Sequence, residues 1–489
     1  MRGDNGIPYP GTLPRPRSCV GRANAKGLLL IARQHHIPLR VVRRRERLGR
    51  LAQPVQQFIR TEASGGIVLL IAAVVALAWA NSPWGDAYEA LIHHHLSFDF
   101  GFWAADHTLE FWVNDAAMVL FFFVVGLEIK REAVVGELSN VRRVIVPVAG
   151  ALGGMLAPAL IFTAVLGGAE GARGWGIPIA TDIAFALGVL TVVRPSVPLG
   201  LKVMLLALAI VDDIGGILVI ALFYTEQIAL LPLGIAVGAL AAAFVMRQLG
   251  IWRIWPYVAV GLVGWAGMLE SGVHPTIIGV AFGLLTPLRT WHDDESIEAI
   301  AEEELARYRE ARASTDPQVG HEERLLALTR FGTLARVGVA PLERLEHQLQ
   351  PLVAFVVVPV FAFVNAGLAL DADTLSSALA SPLTQGIALG LVLGKPLGIV
   401  TAVWLAVRLG ARLPQGVGWP SVIGVGALSG IGFTVSLLIA NLSFSEPGLL
   451  AEAKLGVLGG SLVAGVIGYT LLRRGASRAG SQTVGSRTD

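Results

Sequence analysis

The chain has 489 residues, of which 54% are hydrophobic and only 15% charged, whereas a soluble globular domain is about a quarter charged. A net charge of +2 identifies no partner class, and the single cysteine, Cys19, excludes an internal disulfide framework and a cysteine-based metal site. Glycine is abundant at 57 residues, as in helices that pack closely in lipid.

Residues 1–60 are basic and carry several prolines; they read as a disordered extension, either an arm on anionic lipid or the product of an upstream translation start without a role. The first apolar run begins near Ile67, too far from the start for the short basic region of a cleavable signal peptide. Only helices and closed barrels satisfy their backbone in hydrocarbon, and runs of about 20 apolar residues indicate helices. Twelve such spans are predicted: 65–82, 111–129, 143–166, 175–193, 199–223, 228–246, 256–270, 273–288, 351–370, 383–408, 419–441 and 453–472. Only Ser271-Gly272 separates the seventh from the eighth. The chain thus divides into the extension 1–60, spans one to eight within 61–290, a charged cytoplasmic insert at 291–345, spans nine to twelve within 346–475, and a disordered tail at 476–489. HLSFDFGFW (95–103) alternates apolar and polar residues and predicts a short external β-ribbon.

Arg43 to Arg45, Lys130, Arg131, Arg142, Arg143, Arg194, Lys202, Arg247, Arg253, Arg289, Arg408, Arg412, Arg473 and Arg474 fall on one side if the spans alternate. The positive-inside rule then places both termini in the cytoplasm and requires an even number of spans.

The stretch LALAIVDDIGGILVIALF (206–223) puts Asp212 and Asp213 at the centre of an otherwise lipid-soluble span. Asp182 lies in the middle of span four and Lys395 in the middle of span ten. A charge near mid-bilayer costs about 2.5–3.5 kcal/mol on insertion scales and marks a pathway. A structural ion pair would account for Lys395 and one Asp but leaves carboxylate charge over, which must be protonated or hold a cation. Adjacent helical residues point about 100° apart, so one of Asp212 and Asp213 is expected to face Lys395 and the other a water-filled funnel. Burial and a neighbouring like charge favour the protonated carboxyl near neutral pH. A carboxylate so poised exchanges a proton for a cation, and oxygen ligands suit an alkali cation better than a transition metal. Span four carries Pro178 before Thr181-Asp182 and Gly188 after them; span eleven carries Gly424, Gly426, Gly430 and Gly432. Broken helices would explain both, with Asp182 offsetting half-helix N-termini and Lys395 C-termini; close packing would equally explain the glycines of span eleven.

ATDIAFALG (180–188), ALAIVDDIG (207–215), FFFVVGLEIKRE (121–132), SGVHPTIIG (271–279), FAFVNAG (361–367), GKPLGI (394–399) and SGIGFTVSLLIA (429–440) closely resemble the bacterial Na⁺/H⁺ antiporter family NhaA, over roughly 62–290 and 341–475. The resemblance implies an all-α polytopic membrane protein of about twelve transmembrane helices, with inverted repeats and interrupted crossing helices at spans four and eleven; NhaA is itself a standard example of inverted repeats. It implies electrogenic export of Na⁺ or Li⁺ from the cytoplasm against inward protons, with no resident cofactor, in a homodimer of the bacterial cytoplasmic membrane whose contact falls at the ribbon. Asp213 is implied as the main cation ligand and proton carrier, and Asp212 as the second carboxylate, paired with Lys395; Na⁺ would sit at these two acids. Thr181 and Asp182 match the unwound crossing segment. Glu128, Arg131, Glu132, Glu346 and His347 match a cytoplasmic cluster assigned to activation at alkaline pH; interfacial i,i+3 pairing is the alternative for Glu128 and Arg131. Gln350 stands where some members carry a second histidine, and His274 matches a histidine near the outer surface. The competing classes are a proton-independent cation channel and an intramembrane aspartyl protease; the latter needs its acids on two helices and a G-x-G-D pattern that the sequence lacks.

Overall fold

The computed structural model describes residues 62–99, 104–168, 170–193, 198–225, 227–251, 253–288, 294–314, 316–370 and 372–485. The extension 1–60 falls outside the described residues.

Helix α1 (Glu62–Ala80) is followed by α2 (Gly85–Ile92), whose axis bends away by 119°. The strands β1 (His95–Asp99) and β2 (Ala104–Thr108) pair antiparallel from His95↔Thr108 to Asp99↔Ala104. The ribbon is therefore longer than the expected 95–103, because AADHT supplies the second strand. Helix α3 (Leu109–Val134) contains a π-helical segment at Trp112–Ala117. Next come α4 (Val141–Leu166), a 3₁₀ segment (Ala172–Ile179), α5 (Ile183–Val193), α6 (Leu199–Phe223), α7 (Leu230–Gln248), α8 (Ile254–Leu269) and α9 (Thr276–Leu285). Helices α10 (Asp294–Ala313) and α11 (Pro317–Val337) form the insert, and α12 (Pro341–Ala366), α13 (Ala372–Ala380) and α14 (Pro382–Arg408) follow. The chain ends on α15 (Trp419–Leu428), α16 (Phe433–Ser443) and α17 (Pro447–Gly485). The last helix continues past Arg474, into the stretch from 476 that the sequence leaves without structure.

The fold is all-α and polytopic, with leucines such as Leu222, Leu230 and Leu231 exposed on its outer face. Among the described residues, eight helices are long and apolar enough to cross a membrane, or ten if the bent pairs α1–α2 and α15–α16 each count as one span. The remaining two predicted spans are α8 and α9, of 16 and 10 residues. At 1.5 Å per residue α9 extends about 15 Å, half the hydrocarbon thickness. Length and composition alone therefore account for eight to ten of the twelve expected crossings.

One group of helices packs around the charged residues: α4, the 3₁₀ segment with α5, α6, α14, α15 with α16, and α17. The middle member of each half, 172–193 and 419–443, is interrupted. Close approach of α4 to α14 depends on Gly153 and Gly398, since a Cβ on either would lie about 2 Å from the other's carbonyl oxygen. Around this group lie α1, α3, α9 and α12, where α3 packs on α9 and α12 on α1.

The C-terminal boundary of the insert differs from expectation. Its helical hairpin ends at Val337, and α12 begins at Pro341, so Glu346 and His347 ride on the same helix as span nine. The polar run PLERLEHQLQ hides this continuity from a hydropathy reading. The hairpin is held by Glu304, which is buried and accepts from Arg307 at 3.2 Å and Arg330 at 3.4 Å. Its ends close on each other, because the Leu342 N–H donates to the Pro287 carbonyl at 3.1 Å.

Candidate ion-binding site

Asp212 and Asp213 sit in the middle of α6, held there by uninterrupted apolar sequence on both sides. Lys395 follows directly on a π-helical segment of α14 at Gly390–Gly394, a local insertion of the kind that recurs at functional sites. Gly394 lets this segment lie against Pro158 of α4, where a Cβ would come within 2.7 Å of the Pro158 Cα. The Lys395 ammonium thus reaches the Asp212 Oδ2 at 2.6 Å, both side chains fully buried, and also donates to the Thr181 hydroxyl at 2.9 Å. Thr181 in turn donates to the Ser429 carbonyl at 2.8 Å. This chain links α6, α14, the unwound part of span four and the end of α15. Lys395 therefore reaches the C-terminus of α15 through Thr181, and not directly as the sequence suggests.

Residues 180–182 are non-helical and cross the break at 429–432. The Asp182 N–H donates to the Ile431 carbonyl at 2.6 Å. The Asp182 carboxylate accepts from the Phe185 N–H at 2.9 Å through Oδ1, and through Oδ2 from the Thr434 N–H at 3.2 Å and hydroxyl at 2.7 Å. One buried acid thereby caps the N-termini of both α5 and α16, where negative charge is stabilised. Ser461 of α17 adds to this by accepting from the N–H groups of Gly432 and Phe433, each at 3.2 Å.

Asp213 differs from its neighbour. It makes no hydrogen bond among the described residues, and it lies within electrostatic reach of Glu128, Asp182 and Lys395. Its exposure is 8%, so in this conformation it does not face an open funnel as the sequence suggests; helix packing has closed over it. Asp212 keeps one oxygen, Oδ1, buried and without a partner among the described residues. A buried carboxylate oxygen left bare costs several kcal/mol unless a proton or a cation takes it up. The geometry thus offers neighbouring acceptors on Asp212 and Asp213, of the hard oxygen type that suits Na⁺.

The second group of candidate residues lies at the far end of α3. Arg131 bridges to Glu346 of α12 at 2.5 Å and to Glu132 at 3.5 Å. Arg131 makes its ion pairs with Glu346 and Glu132, while Glu128, at i,i+3, feels its charge without an ion pair among the described residues. Arg131, Glu343, Arg344, Glu346, His347 and Gln350 line a cavity of about 640 Å³. Glu346 Oε2 is buried without a partner among the described residues. Glu128, one turn before Arg131, lies within electrostatic reach of both Glu346 and Asp213.

Several polar groups escaped the sequence reading. Asp115 lies 3.6 Å from the Nε2 of His274, whose Nδ1 is 2.7 Å from the Thr276 hydroxyl. His274, which the family match puts near the outer surface, is buried among side chains there. Asn114, Asn365 and Asn441 form a ladder of amides, and Lys454 is buried in α17. Each was visible as a polar letter in an apolar run, but a lone amide among apolar residues carries no chemistry until its partners are known.

Comparison with known proteins agrees with this geometry. Residues 56–472 match the family described as Na⁺/H⁺ antiporter 1. A relative from Sorangium cellulosum, named Na(+)/H(+) antiporter NhaA 2, is 45% identical over 86% of this chain and 90% of its own. An Na(+)/H(+) antiporter NhaA from Oleidesulfovibrio alaskensis is 44% identical over 87% of this chain and 95% of its own. An Na(+)/H(+) antiporter NhaA 2 from Myxococcus xanthus is 43% identical over 87% and 90%.

Proposed function

Because the chain belongs to the NhaA family of Na⁺/H⁺ antiporters, we propose that it exports Na⁺ or Li⁺ from the cytoplasm in exchange for inward protons, by alternating access across the bacterial cytoplasmic membrane. The observation that carries the assignment to residues is the buried Lys395–Asp212 pair beside an unpartnered Asp213. Asp213 and Asp212 take up the cation when deprotonated, and protons displace it. Two carboxyl protons released for one Na⁺ make each cycle electrogenic. Lys395 pairs with the Asp212 carboxylate when neither proton nor cation occupies it, and the Asp182–Thr434 crossing holds the half-helix ends that surround the site.

The concentration of Lys and Arg in alternate loops supports a cytoplasmic position for the Arg131–Glu346 cavity and for both termini. Glu128, Arg131, Glu132, Glu346 and His347 then stand at the cytoplasmic entry, and their titration sets the pH response. The ribbon β1–β2 is proposed as the contact of a homodimer, edge strands being ready templates for pairing.

Proteoliposomes test the reading. Added Na⁺ should move protons across the membrane in a pH-dependent manner, and Asp213→Asn should abolish that movement. Sodium flux without proton movement would indicate a channel and overturn the proposal.

A further inference from the structure

Asn365, at the end of α12, uses its entire hydrogen-bonding capacity. Its Nδ2 donates to the Asn114 Oδ1 at 2.8 Å and to the Phe361 carbonyl at 2.9 Å. Its Oδ1 accepts from the Asn114 Nδ2 at 3.3 Å and from the Asn441 Nδ2 at 2.5 Å. Two donors and two acceptor sites are all that an amide has. Asn365 and Asn114 are buried, at 0% and 8% exposure. Asn441 differs: its Oδ1 is buried with no partner among the described residues. The ladder is therefore fixed at Asn365 and incompletely satisfied at Asn441.

The three residues belong to different bodies. Asn114 lies in the π-helical segment of α3 and Asn365 in α12, whereas Asn441 is on α16, the half-helix whose N-terminus is capped by Asp182. The other described side-chain hydrogen bonds of α16 stay within the ion-binding group or its own helix. Thr434 bonds Asp182, Ser436 bonds the Ile177 carbonyl, and Ser443 bonds the Ile439 carbonyl. Among the described residues, the Asn441–Asn365 bond is thus the side-chain hydrogen bond by which α16 reaches the α3/α12 pair.

Its position along the helices is opposite to the cavity. Asn114 precedes Glu128 by about 21 Å along α3, and Glu346 precedes Asn365 by about 28 Å along α12, at 1.5 Å per residue. Asn441 lies about 10 Å beyond Thr434 along α16. The acid site sits between the Arg131–Glu346 cavity on one side and the amide ladder on the other.

The geometry points to Asn441, Asn365 and Asn114 as positioning residues of the transport cycle: a latch that joins α16 to α12 and α3 while the cavity side is open, and that parts when the site opens toward the ribbon. This rests on the antiporter reading, in which the group carrying the site moves against its surroundings. The unpartnered Asn441 oxygen makes that end the one to release, since water entering an opened interface would satisfy it.

The test uses full-length protein in nanodiscs, with Cys19→Ser removing the native thiol and Ala362→Cys placing a probe one turn from Asn365 on the same face of α12. Ala362 is fully buried, so a polar maleimide reports opening. Asn441→Leu keeps the volume and removes the donor; it should speed labelling about three- to tenfold, the population change expected from one net hydrogen bond. A second thiol from Gln350→Cys, lining the cavity, should label no faster. In proteoliposomes the same variant should change the Na⁺ concentration giving half-maximal exchange by a different factor from the maximal rate. Unchanged labelling at position 362, or a parallel rise at both positions, would overturn the latch. If Asn441→Leu does not fold, Asn441→Ala, which removes the same donor with a smaller side chain, makes the same comparison. Absence of exchange with Asn441 intact would instead count against the antiporter reading, so the two failures are distinguishable.

Discussion

Lys395 and Asp212 are fully buried and 2.6 Å apart, so each is tolerable only because of the other. Lys395→Ala should abolish exchange and also lower stability by about 3–5 kcal/mol, the usual consequence of stranding a buried charge; thermal unfolding in detergent measures it. An unshifted midpoint would mean that the pair does not hold the helices. Asp213 has no hydrogen bond to lose among the described residues, so Asp213→Asn should leave the unfolding midpoint in place while exchange disappears. Thr434→Val removes the 2.7 Å bond to Asp182 and should cost about 1–3 kcal/mol, because a buried carboxylate oxygen loses its best donor. Titration of unfolding for the Thr434 variant against wild type checks that figure. Residue-scale chemistry was the most legible part of the sequence. Asp182, Asp212, Asp213 and Lys395 stand out because charge in an apolar run has few explanations. Asn114, Asn365 and Asn441 do not stand out, because an amide is uncharged and tolerable singly.

At the scale of elements, the α4–α14 contact is made of backbone against backbone at Gly153 and Gly398. Gly398→Leu should force the helices apart and destabilise the protein by at least the 1–3 kcal/mol typical of overpacking; recovery of monodisperse protein from membranes reports it. The breaks at 180–182 and 429–432 were legible from Pro178 and the clustered glycines, and the structure decides between a broken span eleven and mere close packing in favour of the break. The Ser271-Gly272 division between α8 and α9 was equally legible, and Gly272 adopts φ +80 there, a conformation that ends a helix. The π-helical segments at Trp112–Ala117, Val353–Val357 and Gly390–Gly394 left no trace in the sequence. One inserted residue in a helix that is apolar on most sides disturbs no visible periodicity. The early start of α12 was hidden for a related reason: its first turns are amphipathic and line a polar cavity, so they read as part of the insert.

For the whole molecule, the insert stands apart from the transport machinery. Its hairpin is tied within itself by Glu304, Arg307 and Arg330, and the chain enters and leaves beside the Pro287–Leu342 bond. Replacing 289–339 with a short Gly/Ser linker should therefore preserve folding and keep the maximal exchange rate within about twofold, since closing a short loop between adjacent ends costs little. Proteoliposome assays across a pH series measure the outcome. A large loss of rate at every pH would show that the hairpin supports the helices beneath it. A displaced pH profile at unchanged maximal rate would instead assign the hairpin to the response of the Arg131–Glu346 cavity.

The bond from the Asp182 N–H to the Ile431 carbonyl has an unusual property for genetics: no substitution among the twenty amino acids except proline deletes it. Scanning mutagenesis will pass over the place where the two broken spans hold each other, however deep the library. Only chemistry on the main chain, such as an α-hydroxy acid incorporated at position 182 to turn the amide into an ester, removes that donor and reveals what the crossing is worth.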